Sequence, residues 1–99
     1  AFSVSDGTNW SSNTVEDIVI LNSWMFFSIT FNNNLISKIY INGVLLKTET
    51  HSFSAGSNSN PLNVGIWLPG QPSFPGQIDD IRIYNRVLNI NEIQQLFNE

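Results

Sequence analysis

Residues 76–97 read GQIDDIRIYNRVLNINEIQQLF, an alternating stretch that runs directly into a helix-patterned tail. Ile81 and Ile83 fall on one side of an extended chain and Arg82 and Tyr84 on the other, which predicts a last strand over 77–84. After Val87 and Leu88 the period changes. Asn91, Glu92, Ile93, Leu96 and Phe97 place apolar residues at i, i+3 and i+4, the pattern of a short amphipathic helix with an Asn- or Asp-type cap ahead of it.

Upstream, residues 24–31 carry the strongest strand pattern of the chain. Met25, Phe27, Ile29 and Phe31 share one face, and Trp24, Phe26, Ser28 and Thr30 share the other. Bulk on both faces predicts a central strand with Trp24 in the core. Asn32, Asn33 and Asn34 make a tight connection to a strand over 35–41, and Asn42-Gly43, the favoured sequence of a two-residue type I′ turn, leads into 44–48. A three-stranded antiparallel meander follows from these signals. Phe2 and Val4 alternate with Ser3 and Ser5 up to Asp6-Gly7, as at the end of a strand entering a turn. Two further strands are expected, over 16–21 and over 62–68, where Leu62, Val64 and Ile66 alternate with Asn63, Gly65 and Trp67. The Ser-, Asn- and Gly-rich stretches 7–14 and 52–60 have loop composition.

Ninety-nine residues suffice for one domain, 1–99, and are too few for two. A net charge of -4, with only Lys38, Lys47, Arg82 and Arg86 as basic side chains, argues against a nucleic-acid footprint and against anionic membranes. No apolar run approaches the roughly 18 to 20 residues that span a bilayer. The absence of cysteine excludes disulfides and thiolate metal sites and leaves the redox compartment open. Few charges among many uncharged polar residues suit an extracellular, cell-surface or virion-surface protein.

The chain resembles a laminin G-like domain, of the concanavalin A-like jelly-roll superfamily. The resemblance rests on Trp24 opening a strand that ends in Thr30-Phe31, on IYING from Ile39 to Gly43, on Pro61-Leu62 with Gly65, and on GQIDDIRIYNRVL with Glu92-Ile93 and Leu96. It implies an all-β, antiparallel jelly-roll β-sandwich with a short C-terminal helix. Two curved sheets of this kind need more strands than 99 residues hold, so the chain is expected to be the C-terminal half or more of the domain. The rest of the sandwich is then expected upstream in a longer chain or from another subunit.

Asp79 and Asp80 are the only adjacent carboxylates, and many domains of this fold carry calcium at a sheet rim. Calcium takes six to eight oxygen ligands, so these two residues are the candidate metal site. The structural alternative is that Asp79 bonds backbone amides while Asp80 is solvated or pairs with Arg82 or Arg86. A glycosidase would need two carboxylates flanking one bond, and neighbours on one strand point to opposite faces. His51, next to Ser52 and Ser54, has no nucleophile elbow and is expected to be a solvated loop residue. Tyr40 and Tyr84 are expected to pack.

An exposed indole stacks on a sugar ring while neighbouring amides bond its hydroxyls. Trp67 with Asn63 and Gln71, and Trp10 in its polar loop, are therefore the candidate ligand contacts. The expected function is a non-catalytic recognition or adhesion module of a larger surface-exposed protein, binding a glycan or protein through rim loops. A structural or assembly domain of a capsid, fibre or multidomain protein is the alternative, and a glycoside hydrolase the third class.

Overall fold

A computed structural model describes residues 2–17, 19–57, 59, 62–66, 70 and 72–99. Its strands are β1 (Phe2–Ser5), β2 (Trp10–Asn13), β3 (Phe27–Phe31), β4 (Ile36–Ile41) and β5 (Val44–Thr50), followed by the helix α1 (Ile90–Phe97). β1 and β2 form an antiparallel hairpin, and β3, β4 and β5 form an antiparallel sheet in that order. The architecture is the all-β jelly-roll class with a short C-terminal helix, as the sequence leads one to expect.

The meander is fixed by its turns. Asn42 and Gly43 both have positive φ, 50° and 78°, which is the type I′ requirement. Gly43 is needed twice over, because a Cβ there would stand 3.3 Å from Gln94 Cγ of the helix. At the other end Asn32 Oδ1 accepts from the N–H groups of Asn34 and Ile36 at 2.9 and 3.1 Å, standing in for a backbone acceptor. Pairing of Ile39 with Lys47 and of Tyr40 with Leu45 leaves Leu46 as an extra residue, a bulge in β5.

The helix is capped by Asn89. Asn89 Oδ1 accepts from Glu92 N–H at 2.9 Å and Glu92 Oε1 accepts from Asn89 N–H at 3.1 Å, a reciprocal capping box. Phe97 stacks on Phe26, with ring centroids 6.0 Å apart, and Ile93 is buried. Arg86 holds Glu92 through both terminal guanidinium nitrogens, Nη1 at 2.9 Å, and Arg82 Nη1 holds Glu99 at 2.9 Å. Glu92 is drawn down to a pKa of about 2, first by Arg86 and then by the Asn89 amide.

Several expectations fail for identifiable reasons. The described residues of the 16–21 run form no strand, since Asp17 (φ 57°) within it and Asn22 (φ 60°) after it sit in the left-handed region and break the extended path. The expected last strand over 77–84 is likewise irregular, interrupted by Asp80 at φ 54° and without a ladder partner among the described residues. The described part of 62–68 contributes only an isolated bridge, Ile66 to Ser73. β3 begins three residues later than predicted and stands at an edge of its sheet rather than in the middle. Trp24 consequently precedes the ladder and is 68 % exposed instead of forming core. Tyr40 is buried, but Tyr84 is exposed, its segment having no neighbouring strand among the described residues to pack on. Conversely, β2 lies in a stretch of loop composition, and pairing with β1 overrides its weak propensity.

Candidate functional site

Strand alternation decides which side chains the β1–β2 hairpin turns outward. Trp10 and Ser12 alternate with the inward Ser11 and Asn13, and Ser5 and Ser3 stand opposite the outward pair in register. The outer face thus carries one indole, 70 % exposed, beside three hydroxyls. Ser3 Oγ and Ser12 Oγ are hydrogen-bonded at 2.8 Å.

The turn that presents Trp10 is held by its own side chains. Asp6 Oδ1 accepts from the N–H groups of Asn9 and Thr8 at 2.7 and 2.9 Å, and Asn9 Nδ2 donates to Asp6 Oδ2 at 3.3 Å. These backbone donors, Asn9 first and Thr8 second, hold the Asp6 carboxyl below the usual carboxylate range. Gly56 N–H donates to Ser5 O at 2.7 Å, so the loop after β5 braces the turn from one side.

Beneath the inner face lies a polar seam that joins the hairpin to the three-stranded sheet. His51 Nδ1 is 2.6 Å from Ser11 Oγ, and His51 Nε2 is 2.7 Å from Ser37 Oγ. Asn13 Nδ2 donates to Ser37 Oγ at 3.0 Å and to Ser37 O at 3.3 Å. Phe2 and Phe31 meet the imidazole edge-on, with centroids at 6.2 and 5.6 Å. The expectation of a solvated His51 is therefore corrected: it is 3 % exposed, drawn under the hairpin as its N–H donates to Leu35 O at 2.7 Å. Contacts 14 and 40 residues apart in the chain gave no local signal, although the alternation of Ser11 and Asn13 was the trace available.

A serine against an imidazole is the beginning of a nucleophile–base pair, but a nucleophile must reach its substrate. Ser37 is sealed and both ring nitrogens are engaged, so the seam acts as a cross-link between sheets.

Of the candidate residues read from the sequence, Trp10, Asn63, Asp79 and Asp80 are described. Trp10 stands on the hairpin face just described, and Asn63 is exposed in the irregular stretch ahead of Gly65. Trp67 and Gln71 lie outside the described residues. Asp79 and Asp80 are exposed, and Asp79 Oδ1 accepts from the N–H of Asp80 at 2.8 Å. Arg82 and Arg86 pair with Glu99 and Glu92 rather than with Asp80. Because the segment is not a strand, the alternation argument about these two carboxylates does not apply. No group of three or more His, Cys, Asp or Glu side chains that could hold a metal occurs among the described residues. Calcium takes six to eight oxygens, so a site at Asp79 and Asp80 would draw the rest from backbone carbonyls and water.

Two antiparallel sheets with a short terminal helix, in this order, are consistent with a jelly-roll domain of the concanavalin A-like class. Residues 1–94 match the laminin G family model described as the concanavalin A-like lectin/glucanases superfamily, and the chain belongs to that family. No curated protein matches the chain. Among solved structures it is similar to the 2.1 Å crystal structure of an S-layer domain-containing protein (residues 221–444) from Clostridium thermocellum ATCC 27405, at 24 % identity and a TM-score of 0.50. The match covers 90 % of this chain and 44 % of that one, so the chain spans less than half of the neighbour's length.

Proposed function

We propose that the protein is a non-catalytic recognition module of a surface-exposed protein, binding a glycan or a protein through the outer face of the β1–β2 hairpin. The observation that carries this reading is Trp10, an exposed indole on a braced turn with Ser3, Ser5 and Ser12 beside it. An indole offers an apolar plate to a sugar ring, and hydroxyls at its edge can bond the ring's own hydroxyls. Trp67, with Asn63 and Gln71, is proposed as a second contact surface on residue chemistry alone. The surface location draws support from the laminin G family and from the S-layer domain named for the neighbouring structure. The non-catalytic part draws support from three of the eight carboxylates: Glu92, Glu99 and Asp6 are each committed to structural partners.

A glycan array followed by calorimetric titration of the best hit tests the reading. Trp10→Ala is expected to weaken binding about tenfold or more, the usual cost of truncating an aromatic anchor. An array hit unaffected by Trp10→Ala contradicts it. The second reading, a structural role in a surface assembly, is favoured by the exposed apolar run Val19, Ile20 and Leu21, 66 %, 70 % and 83 % exposed, and a blank array with folded protein would support it. Titration with calcium to millimolar concentration is expected to give no heat at Asp79 and Asp80. A saturable heat abolished by Asp79→Asn would establish a site there.

A further inference from the structure

The chain holds one Asn-Gly pair, Asn42-Gly43, at the tip of the β4–β5 hairpin. In a relaxed chain this dipeptide is reactive. Gly43 has no side chain to keep its main-chain nitrogen away from Asn42 Cγ, and the two can close a five-membered ring. The fold opposes that closure at three points. Asn42 Oδ1 accepts from the N–H of Phe26 at 2.9 Å, and the Asn42 N–H donates to Phe26 O at 2.8 Å, so both the side chain and the main chain of Asn42 are held. Both residues sit at positive φ in the type I′ turn, and ring closure requires rotation about the Asn42 Cα–C bond out of that turn.

The third obstacle is α1. Asn42 is exposed, yet Gly43 beside it is buried. The helix lies over Gly43: Gln94 Nε2 donates to Gly43 O at 3.5 Å, and a Cβ built on Gly43 would stand 3.6 Å from Phe97 Cδ2. Phe97 also stacks on Phe26, the residue that clamps Asn42, so one aromatic ring secures both the cover and the clamp. Elements from three parts of the chain therefore meet at this one turn: the segment entering β3, the β4–β5 hairpin and the terminal helix.

We infer that Asn42 is a modification site, a deamidation site that the Phe26 clamp and α1 keep closed and that opens when the helix lifts from the turn. In the open state the Gly43 nitrogen bonds to Asn42 Cγ and the bond from Cγ to Nδ2 breaks. The proton of the Gly43 nitrogen passes through water to the leaving nitrogen, which departs as ammonia. Water then adds to either ring carbonyl and cleaves its bond to nitrogen, leaving aspartate or isoaspartate. Aspartate keeps an oxygen for the Phe26 N–H. Isoaspartate carries the main chain through the side-chain carbon, one atom longer, and a two-residue turn with two set φ angles cannot absorb it. That product uncouples β5 from β4. The inference does not depend on what Trp10 binds.

The test is peptide mapping by mass spectrometry on the full polypeptide that carries these residues, incubated at mildly alkaline pH in buffer and, in parallel, in denaturing urea. Because only the opened turn reacts, the rate in buffer is scaled by the open fraction, and deamidation at Asn42 is expected to be about tenfold or more slower than in urea. Phe97→Ala is expected to raise the rate in buffer toward the urea value while the amides of β4 stay protected from hydrogen exchange. Equal rates for the wild type in buffer and urea overturn the proposal. A folded Phe97→Ala protein that deamidates no faster than the wild type also overturns it, because α1 is then not the cover. The wild-type comparison decides the proposal even where Phe97→Ala fails to fold.

Discussion

Replacing His51 with alanine is expected to lower the stability of the fold by about 2–4 kcal/mol, the cost of leaving buried polar groups without partners. The imidazole hydrogen-bonds both Ser11 of the hairpin and Ser37 of the three-stranded sheet. Its loss would leave the fully buried Ser37 hydroxyl with Asn13 as its remaining side-chain partner, one hydrogen bond short, and open a void between Phe2 and Phe31. His51→Gln retains a polar group able to reach Ser37 and is expected to lose about half as much. Urea denaturation of the two variants checks this. If His51→Ala unfolds within about 0.5 kcal/mol of the wild type, the seam does not join the sheets. A double-mutant cycle with Ser37→Ala is expected to show coupling of about 1–3 kcal/mol, as for groups in one buried network.

Ile39→Ala is expected to cost about 2–5 kcal/mol, the range for truncating a buried aliphatic residue. Ile39 is 1 % exposed in the middle strand, between Ile29 of β3 and Lys47 of β5 in register. Ile20→Ala is the matched control: the same residue type at 70 % exposure, expected to change stability by no more than about 0.5 kcal/mol. A domain holds only about 5–15 kcal/mol in all, so the Ile39 variant should lose much of its cooperative unfolding transition while the control keeps it. Equal effects would mean that the buried and exposed sides of the chain are wrongly assigned.

The contrast between these isoleucines shows how far the sequence carries. It was sufficient for the meander, because Asn42-Gly43 sets a turn with two positive φ angles and the flanking alternation sets the register. It was sufficient for α1, whose Asn89–Glu92 capping box and apolar stripe are local in the chain. It was also sufficient for the family, through IYING and GQIDDIRIYNRVL in their order. Each of these depends on residues a few positions apart, where sterics and hydrogen bonding are set by the chain itself.

Burial is different, because it depends on which segments are present to cover a side chain. Trp24 and Ile83 have the pattern of covered residues and are exposed, since the described chain supplies nothing that packs on them. His51 has the neighbourhood of a loop residue and is buried, because Ser11, Ser37, Phe2 and Phe31 converge on it from distant strands. The outward placement of Trp10 required the pairing of β2 with β1, in a stretch whose composition alone reads as loop. The sequence by itself determined the class of fold, the turns and the helix; the tertiary structure alone decided which polar residues enter the core and which aromatic residues stay exposed, because desolvation is a property of the whole assembly of strands and of no single one.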